Sequence, residues 1–415
     1  MVQGKKKATS FTWLIASRLQ DNSLTGNFST LVTRIAVASI TIGVAAMILS
    51  FMIFEGFKHA IQEKIFSLAG HIRLTKFDGG SSPEGSPLPL NTQFLKKASQ
   101  IQGLARVELY SQKSALLKTD EEVMGVLIKG IDSKSDSSFF AKNLISGRFL
   151  QFPDTAAHSP DLIVSKRIAD KLKLQVGDRL TAYFIQEPPR ARRLTICGIY
   201  QTGLEDFDEM VVLADNRMIQ QLNRWGDTLT GGYEIYIRDF SKLTQVAEEV
   251  YDAMDYSMQM ETVEGRYAHF FDWFIMLNRN VTVFLTIILS VAAFNTISIL
   301  IILMMERTQM IGLLKAMGAS NRQIRAIFFW KGIRILTRGL LWGNLLALGL
   351  AAVQYYFHLI PLDPENYYME TVPIQWDWLA FAIVNLLTTM VVGSAIFLPT
   401  ALTARITPVK AIRFN

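Results

Sequence analysis

Four stretches of the chain carry no charged residue: between Arg34 and Glu55, Arg279 and Glu306, Arg338 and Asp363, and Asp377 and Arg405. A helix needs about 20 apolar residues to cross the hydrocarbon core of a bilayer, and each gap meets that length. A charge at the centre of such a helix would cost roughly 2.5–3.5 kcal/mol on insertion scales, so four clean gaps in one chain point to membrane spans. The expected spans are 35–54, 280–305, 339–360 and 378–400. Buried helices of a large soluble protein are the competing reading, but such helices are usually shorter. The first gap is too long for a signal peptide and lacks a small-residue cleavage site, so it reads as a retained anchor.

Between the first two spans the pattern changes. Residues 55–279 are polar and turn-rich, long enough for one or two domains with their own core. Alternating strand-like pieces occur at 105–109, 123–131, 180–185, 194–199, 210–213 and 233–237. Helix-like pieces occur at 92–102, 165–172, 216–225 and 241–254. Strands and helices intermixed in this way predict an α+β domain. Residues 79–89, rich in Gly, Ser and Pro, read as a flexible loop. The fold class is therefore an α-helical membrane protein with four transmembrane helices, arranged 1+3. A large α+β extracytoplasmic domain is inserted between helices 1 and 2.

Charge then orients the chain. The N-terminal segment 1–34 carries Lys5, Lys6, Lys7, Arg18 and Arg34 against Asp21. Segment 306–338 carries Arg307, Lys315, Arg322, Arg325, Lys331, Arg334 and Arg338 against Glu306, and tail 401–415 adds Arg405, Lys410 and Arg413. Segment 361–377 holds Asp363, Glu365, Glu370 and Asp377 with no base. These signs alternate as the positive-inside rule requires, with both termini cytoplasmic. The net charge of +6 is thus a topology signal, and nothing points to nucleic acid. The single cysteine, Cys197, excludes an internal disulfide and reads as a small buried hydrophobe.

Motifs for chemistry are missing. There is no phosphate loop, no H-E-x-x-H, no G-x-S-x-G, and the five histidines (His59, His71, His158, His269, His358) are scattered. The spans lack the Asp, Glu or Arg expected of an ion-coupled transporter. Any work across the membrane must be powered from another chain. In the third span Gly339, Gly343, Ala347 and Ala351 fall on one face, as Ser39 and Gly43 do in the first, a spacing that lets helix backbones approach closely. Asn295, Thr296 and Ser298 are expected to bond across to a neighbouring helix.

The segment after span two holds the most specific pattern. Met310, Leu313, Leu314 and Met317 lie at i, i+3, i+4 and i+7, and Gly318 follows as a C-terminal cap. A short amphipathic helix results, suited to a hydrophobic groove on another protein, with Glu306 and Arg307 beside it for polar contacts. A plain juxtamembrane helix would show the same periodicity.

The run Glu306-Arg307-Thr308-Gln309-Met310-Ile311-Gly312-Leu313-Leu314-Lys315-Ala316-Met317-Gly318-Ala319-Ser320 resembles the coupling-helix signature of the FtsX-like permease domain of type VII ABC transporters. The tail Ile406-Thr407-Pro408-Val409-Lys410-Ala411-Ile412-Arg413 resembles that family's ending, with Thr407 in place of the usual acid. Ile15-Ala16-Ser17-Arg18-Leu19, Arg34 to Ile40, Gly43-Val44-Ala45 and Glu55-Gly56-Phe57 are similar to the start of lipoprotein-releasing permeases, the LolC/LolE group. Gly147-Arg148, Val176-Gly177-Asp178 and Gly198 to Gly203 fit a MacB-like periplasmic domain.

The resemblance implies a permease of the inner membrane that pairs with itself or a sister chain and moves lipoprotein out of the lipid. It implies a separate LolD-like ATPase that binds ATP and Mg, so this chain holds no cofactor and is not the enzyme. Glu306, Arg307, Met310, Ile311, Leu313, Leu314 and Met317 would dock that ATPase. A LolA-like periplasmic carrier would be recruited by a hairpin, here 185–193 with Pro188, Pro189, Arg190, Arg192 and Arg193; this turn is short, and a plain solvated turn is the alternative. A MacB-like efflux permease and an FtsX-like signalling protein are the other readings within the superfamily; a membrane-bound enzyme is the reading outside it.

Overall fold

The computed structural model describes residues 27–77, 86–119, 121–153, 158–363 and 367–402. The N-terminal basic cluster, the motifs at 15–19 and 406–413, and most of the 79–89 stretch lie outside the described residues. Two compact units emerge. One takes in the chain up to His59, Phe274–Pro361 and the chain from Thr371 onward; the other takes in Ala60–Trp273 and Leu362–Glu370.

Among the described residues, four helices are long and apolar enough to cross a membrane. They are α1 (Asn27–Ala69), α2 (Ala268–Glu306), α4 (Asn321–Phe357) and α5 (Trp378–Ala395), with the short α3 (Thr308–Ala316) between α2 and α4. The charge gaps locate the apolar windows, whereas the helices overrun them. At 43 residues α1 is about 65 Å long, twice a hydrocarbon core of about 30 Å. Helical hydrogen bonds do not stop where the apolar run stops, so the polar flanks stay helical. Most of segment 306–338 is α3 and the first half of α4, so the helical part extends well beyond the short amphipathic helix expected there.

In the first unit, Ile40, Val44, Ile48, Leu300, Leu336, Ala347 and Val392 are almost fully buried in a common core. Helices α1 and α4 approach closely. A β-carbon at Gly339 would stand 2.5 Å from Ile40 Cγ2, and one at Gly343 would stand 2.8 Å from Val44 Cβ. Ala347 and Ala351 continue the row, both fully buried. Gly43 faces the other way, where a β-carbon would stand 3.4 Å from Ile288 Cγ2 of α2, and Ser39 is half-buried.

The second unit is α+β. Its larger sheet runs, in spatial order, Leu144–Gly147, Arg190–Tyr200, Asp161–Ser165, Val211–Asp215, Val123–Ile131, Gln112–Lys118 and Arg179–Phe184. The pairing is mixed: Val211–Asp215 lies parallel to Val123–Ile131, while Gln112–Lys118 is antiparallel to it. A smaller antiparallel sheet runs Met258–Thr262, Ile72–Lys76, Gly232–Ile237, Leu104–Tyr110. Helices Lys166–Leu172 and Asn216–Asn223 bury Ile168, Leu172, Met218 and Leu222 against the larger sheet. The strand end at Gly147 shows why the sequence motif needs glycine: its φ is +84°, and a β-carbon would collide with the Cys197 carbonyl oxygen.

Candidate functional site

The short helix α3 is built to be held on one side and open on the other. Its entry is tied by Thr308, whose hydroxyl donates to the carbonyls of Met304 (3.2 Å) and Met305 (2.7 Å) at the end of α2. Its exit is a Schellman turn: Ala319 N–H reaches Leu314 O at 2.9 Å, Gly318 N–H reaches Lys315 O at 3.0 Å, and Gly318 has φ +93°. The glycine expected to cap this helix therefore does so through the left-handed conformation that a β-carbon would disfavour. Ser320 then starts α4 with a capping box, accepting from Gln323 N–H while the Gln323 side chain accepts from Ser320 N–H.

Packing divides the predicted docking face. Ile311 is fully buried with Met304, Ile324 and Phe328, and Gly312 is buried beside it. Leu313 is 59% exposed and Met317 67%, with Met310 and Leu314 half-buried between the two sides. Glu306 is exposed and Arg307 half-buried. Ile311 thus anchors the helix, and the outward apolar surface is carried by Leu313 and Met317, joined by Met305, which is 72% exposed. Met305 went unnoticed in sequence because it belongs to the end of α2, outside the α3 periodicity.

The hydroxyls expected to bond between helices do not. Thr296 donates to Ala292 O (2.8 Å) and Ser298 to Phe294 O (3.0 Å), both within α2. A Thr or Ser in a helix reaches its own i−4 carbonyl without help from a neighbour. Polar contacts between helices instead include Asn344 of α4 donating to Asn385 of α5 at 2.9 Å and Thr41 of α1 donating to Gly339 O of α4 at 3.4 Å.

In the second unit, the residues expected to form a carrier-binding hairpin do form a hairpin, but a differently divided one. Arg190, Arg192 and Arg193 are strand residues, paired with Phe184, Ala182 and Thr181. The turn is only 185–189, and includes a cis Glu187–Pro188 bond. Arg190 is held by the end of a helix, donating to Leu222 O at 2.6 Å, so it is not free at a tip. Pro188, Pro189 and Arg193 are exposed.

The end of α1 is a site that sequence reasoning missed. Gly70 stops the helix with φ +63°, leaving the last carbonyls to be satisfied from elsewhere. Lys129 donates to Leu68 O at 2.6 Å and Arg266 to Ala69 O at 2.9 Å, placing two cations at the negative end of the helix dipole. Lys129 also pairs with Glu234 at 2.7 Å, and Glu234 with Arg73 at 2.9 Å. Burial alone would raise the Glu234 carboxyl, but Lys129 and Arg73 outweigh it and hold it at about 2. One turn earlier, Lys64 donates to Thr202 O and Tyr368 O, both at 2.6 Å. The Thr202-Gly203 turn in turn cradles the Asp208 carboxylate, which accepts from Thr202 Oγ1 at 2.8 Å and Gly203 N–H at 3.0 Å.

A family model of the MacB-like periplasmic core domain matches residues 33–253, more than half of the chain. The chain belongs to that family. The MacB-like match is followed by a second, to the FtsX-like permease C-terminal family over residues 282–408, which includes α3. Similar curated proteins extend over nearly the whole length. The lipoprotein-releasing system transmembrane protein LolC of Neisseria meningitidis serogroup B is 22% identical, covering 94% of this chain and 95% of its own. LolC of Xylella fastidiosa (strain 9a5c) is 20% identical with the same coverage, and LolE of Haemophilus influenzae is 19% identical over 96% of this chain and 98% of its own. The resemblance read from the motifs is borne out at this level.

Proposed function

We propose that this chain is the permease subunit of an ABC transporter that extracts lipoproteins from the inner membrane and hands them to a periplasmic carrier. The observation that carries this reading is full-length similarity to lipoprotein-releasing transmembrane proteins, joined to a helix α3 that is anchored by Ile311 and open at Leu313 and Met317. In this reading α1, α2, α4 and α5 span the membrane in a 1+3 arrangement with both termini cytoplasmic, and the α+β unit is periplasmic. A separate ATPase subunit binds ATP and Mg and receives the outward face of α3 with the residues flanking it: Glu306, Arg307, Met310, Leu313, Leu314 and Met317. A second permease, identical or a sister chain, completes the transporter.

The chemistry requires an energy source. Moving an acyl chain of about fifteen methylenes into water costs about 12 kcal/mol, at about 0.8 kcal/mol per CH₂, so release of a multiply acylated protein needs both ATP-driven work and a carrier to shield the chains. The sequence carries no phosphate loop, which supports a separate ATPase as the source of that energy.

Depletion of this chain in cells is the test. Lipoproteins destined for the outer membrane should then accumulate in the inner membrane. Normal delivery accompanied by failure of toxin export would favour a MacB-like efflux pump, and failure of septation would favour an FtsX-like signalling role; either result would overturn the lipoprotein reading. The coupling role has its own check, because an ATPase subunit should co-purify with the native chain and be lost with Leu314→Asp. Retention by that variant would sink the docking assignment.

A further inference from the structure

The smaller sheet of the α+β unit ends in an open strand. Met258–Thr262 pairs with Ile72–Lys76 on one side, and among the described residues no strand pairs with it on the other. The hydrogen bonds at its two ends fix which way its backbone groups point. Val263 N–H donates inward to His71 O, and Ser257 O accepts from Phe77 N–H. Backbone groups alternate along an antiparallel strand, so residues 257, 259, 261 and 263 face the ladder while Met260 and Thr262 turn theirs outward. The same two residues line a groove of about 450 Å³ between this strand and helix Leu243–Ala253.

The groove has an apolar floor and an acidic rim. Leu243, Ala247 and Met260 form the floor; Glu248, Asp252 and Glu264 stand around it, and no Lys or Arg lines it. A helix lying beside a free strand edge is the arrangement in which an extended peptide adds as a further strand, with main-chain bonds supplying affinity and alternate side chains entering the groove. Edges left long and open are usually blocked by lysine or proline, and Met258–Thr262 contains neither. The geometry points to a binding site for an extended cationic segment of another polypeptide, which pairs with the outward N–H and C=O of Met260 and the outward N–H of Thr262, whose carbonyl is taken by the short helix Val263–Arg266, and sets Lys or Arg side chains against Glu248, Asp252 and Glu264. This site is separate from α3 and from the 185–189 turn, and stands whether or not the transport reading does.

The probe is a fluorescein-labelled decapeptide of alternating Val and Lys, titrated against the full chain in nanodiscs of zwitterionic lipid, with empty nanodiscs as the blank and anisotropy as the readout. Binding should be saturable, and should weaken about tenfold in the double variant Glu248→Gln, Asp252→Asn, a change of about 1.4 kcal/mol. Met260→Pro removes an outward N–H without touching the ladder and should abolish it. The same peptide N-methylated on alternate residues should not bind, an arm that needs no protein variant to fold. Absence of binding to the native chain, equal binding by the double variant, equal binding of a Val-Glu decapeptide, or equal binding of the N-methylated peptide would each overturn the proposal.

Discussion

Gly339→Ala is the sharpest test of the helix packing, because the same replacement at Gly349, ten residues along α4, supplies its control. At Gly339 the new methyl would lie 2.5 Å from Ile40 Cγ2 and 2.6 Å from Ile40 Cβ. Ordinary contact needs about 1 Å more. Ile40 cannot swing aside, since a β-branched residue in a helix has one strongly preferred rotamer and its Cβ is fixed to the backbone. The helices must separate instead, and a gap of 0.5–1 Å forfeits about a quarter to a half of each van der Waals contact along the row. Overpacking of this kind costs about 1–3 kcal/mol, against a gain of about 1 kcal/mol from replacing glycine in a helix. The net loss at Gly339 is therefore about 0–2 kcal/mol. At Gly349 nothing lies within 4 Å of the added carbon, so only the gain remains. The difference between the variants should be about 1–3 kcal/mol in favour of Gly349→Ala. Tryptophan fluorescence of the purified chain during detergent-based unfolding would measure it, and equal stability of the two variants would refute the close approach of α1 and α4.

Three other outcomes follow from named contacts. His71 is held near pKa 4, below the usual 6.5, chiefly by burial and then by Arg106, and its Nδ1 accepts from Ile237 N–H, which only the neutral ring can do. The folded state therefore resists a proton that the unfolded chain takes up: stability is fully present above pH 6.5 and is lost as pH falls toward 4, by about 3 kcal/mol in all. Unfolding midpoints across that window should flatten in His71→Phe, and an unchanged slope would be contrary. Lys129→Met leaves Glu234 buried with Arg73 alone and Leu68 O without its donor, and should destabilise the α+β unit by about 3–5 kcal/mol, measured by hydrogen exchange in its strands. Met317→Asp should abolish ATPase capture with stability unchanged, whereas Ile311→Ala should destabilise the α2–α3–α4 junction by about 2–5 kcal/mol.

Much of this architecture could be read from local pattern, and the rest could not for definable reasons. The strand at Val123–Ile131 and the helix Lys166–Leu172, with Ser165 as its N-cap, lie where alternation and periodicity put them. Asp161–Ser165 escaped notice because every residue in it is buried, so no alternation is left to see. Gln112–Lys118 was hidden by its two lysines, one of which, Lys113, is buried. At the candidate coupling site, i, i+3, i+4 spacing revealed a helix and an apolar stripe, but it cannot say which part of the stripe turns inward; the packing of Ile311 on Ile324 and Phe328 decides that. The Asn344–Asn385 pair and the Lys129–Glu234–Arg73 cluster join residues from separate elements, and no local pattern encodes their meeting.

The way α1 ends also sets an order of events during synthesis. Its terminal carbonyls are completed by Lys129 and Arg266, and Lys64 finds one acceptor at Tyr368, 304 positions downstream. At about 5–20 residues per second, the ribosome reaches Arg266 about 10–40 s after Ala69 and Tyr368 later still. Among the described helices, the earliest to be made is thus among the last to be finished. A nascent chain halted before Tyr368 would hold α1 with an incomplete far end, a recognisable mark of an unfinished product.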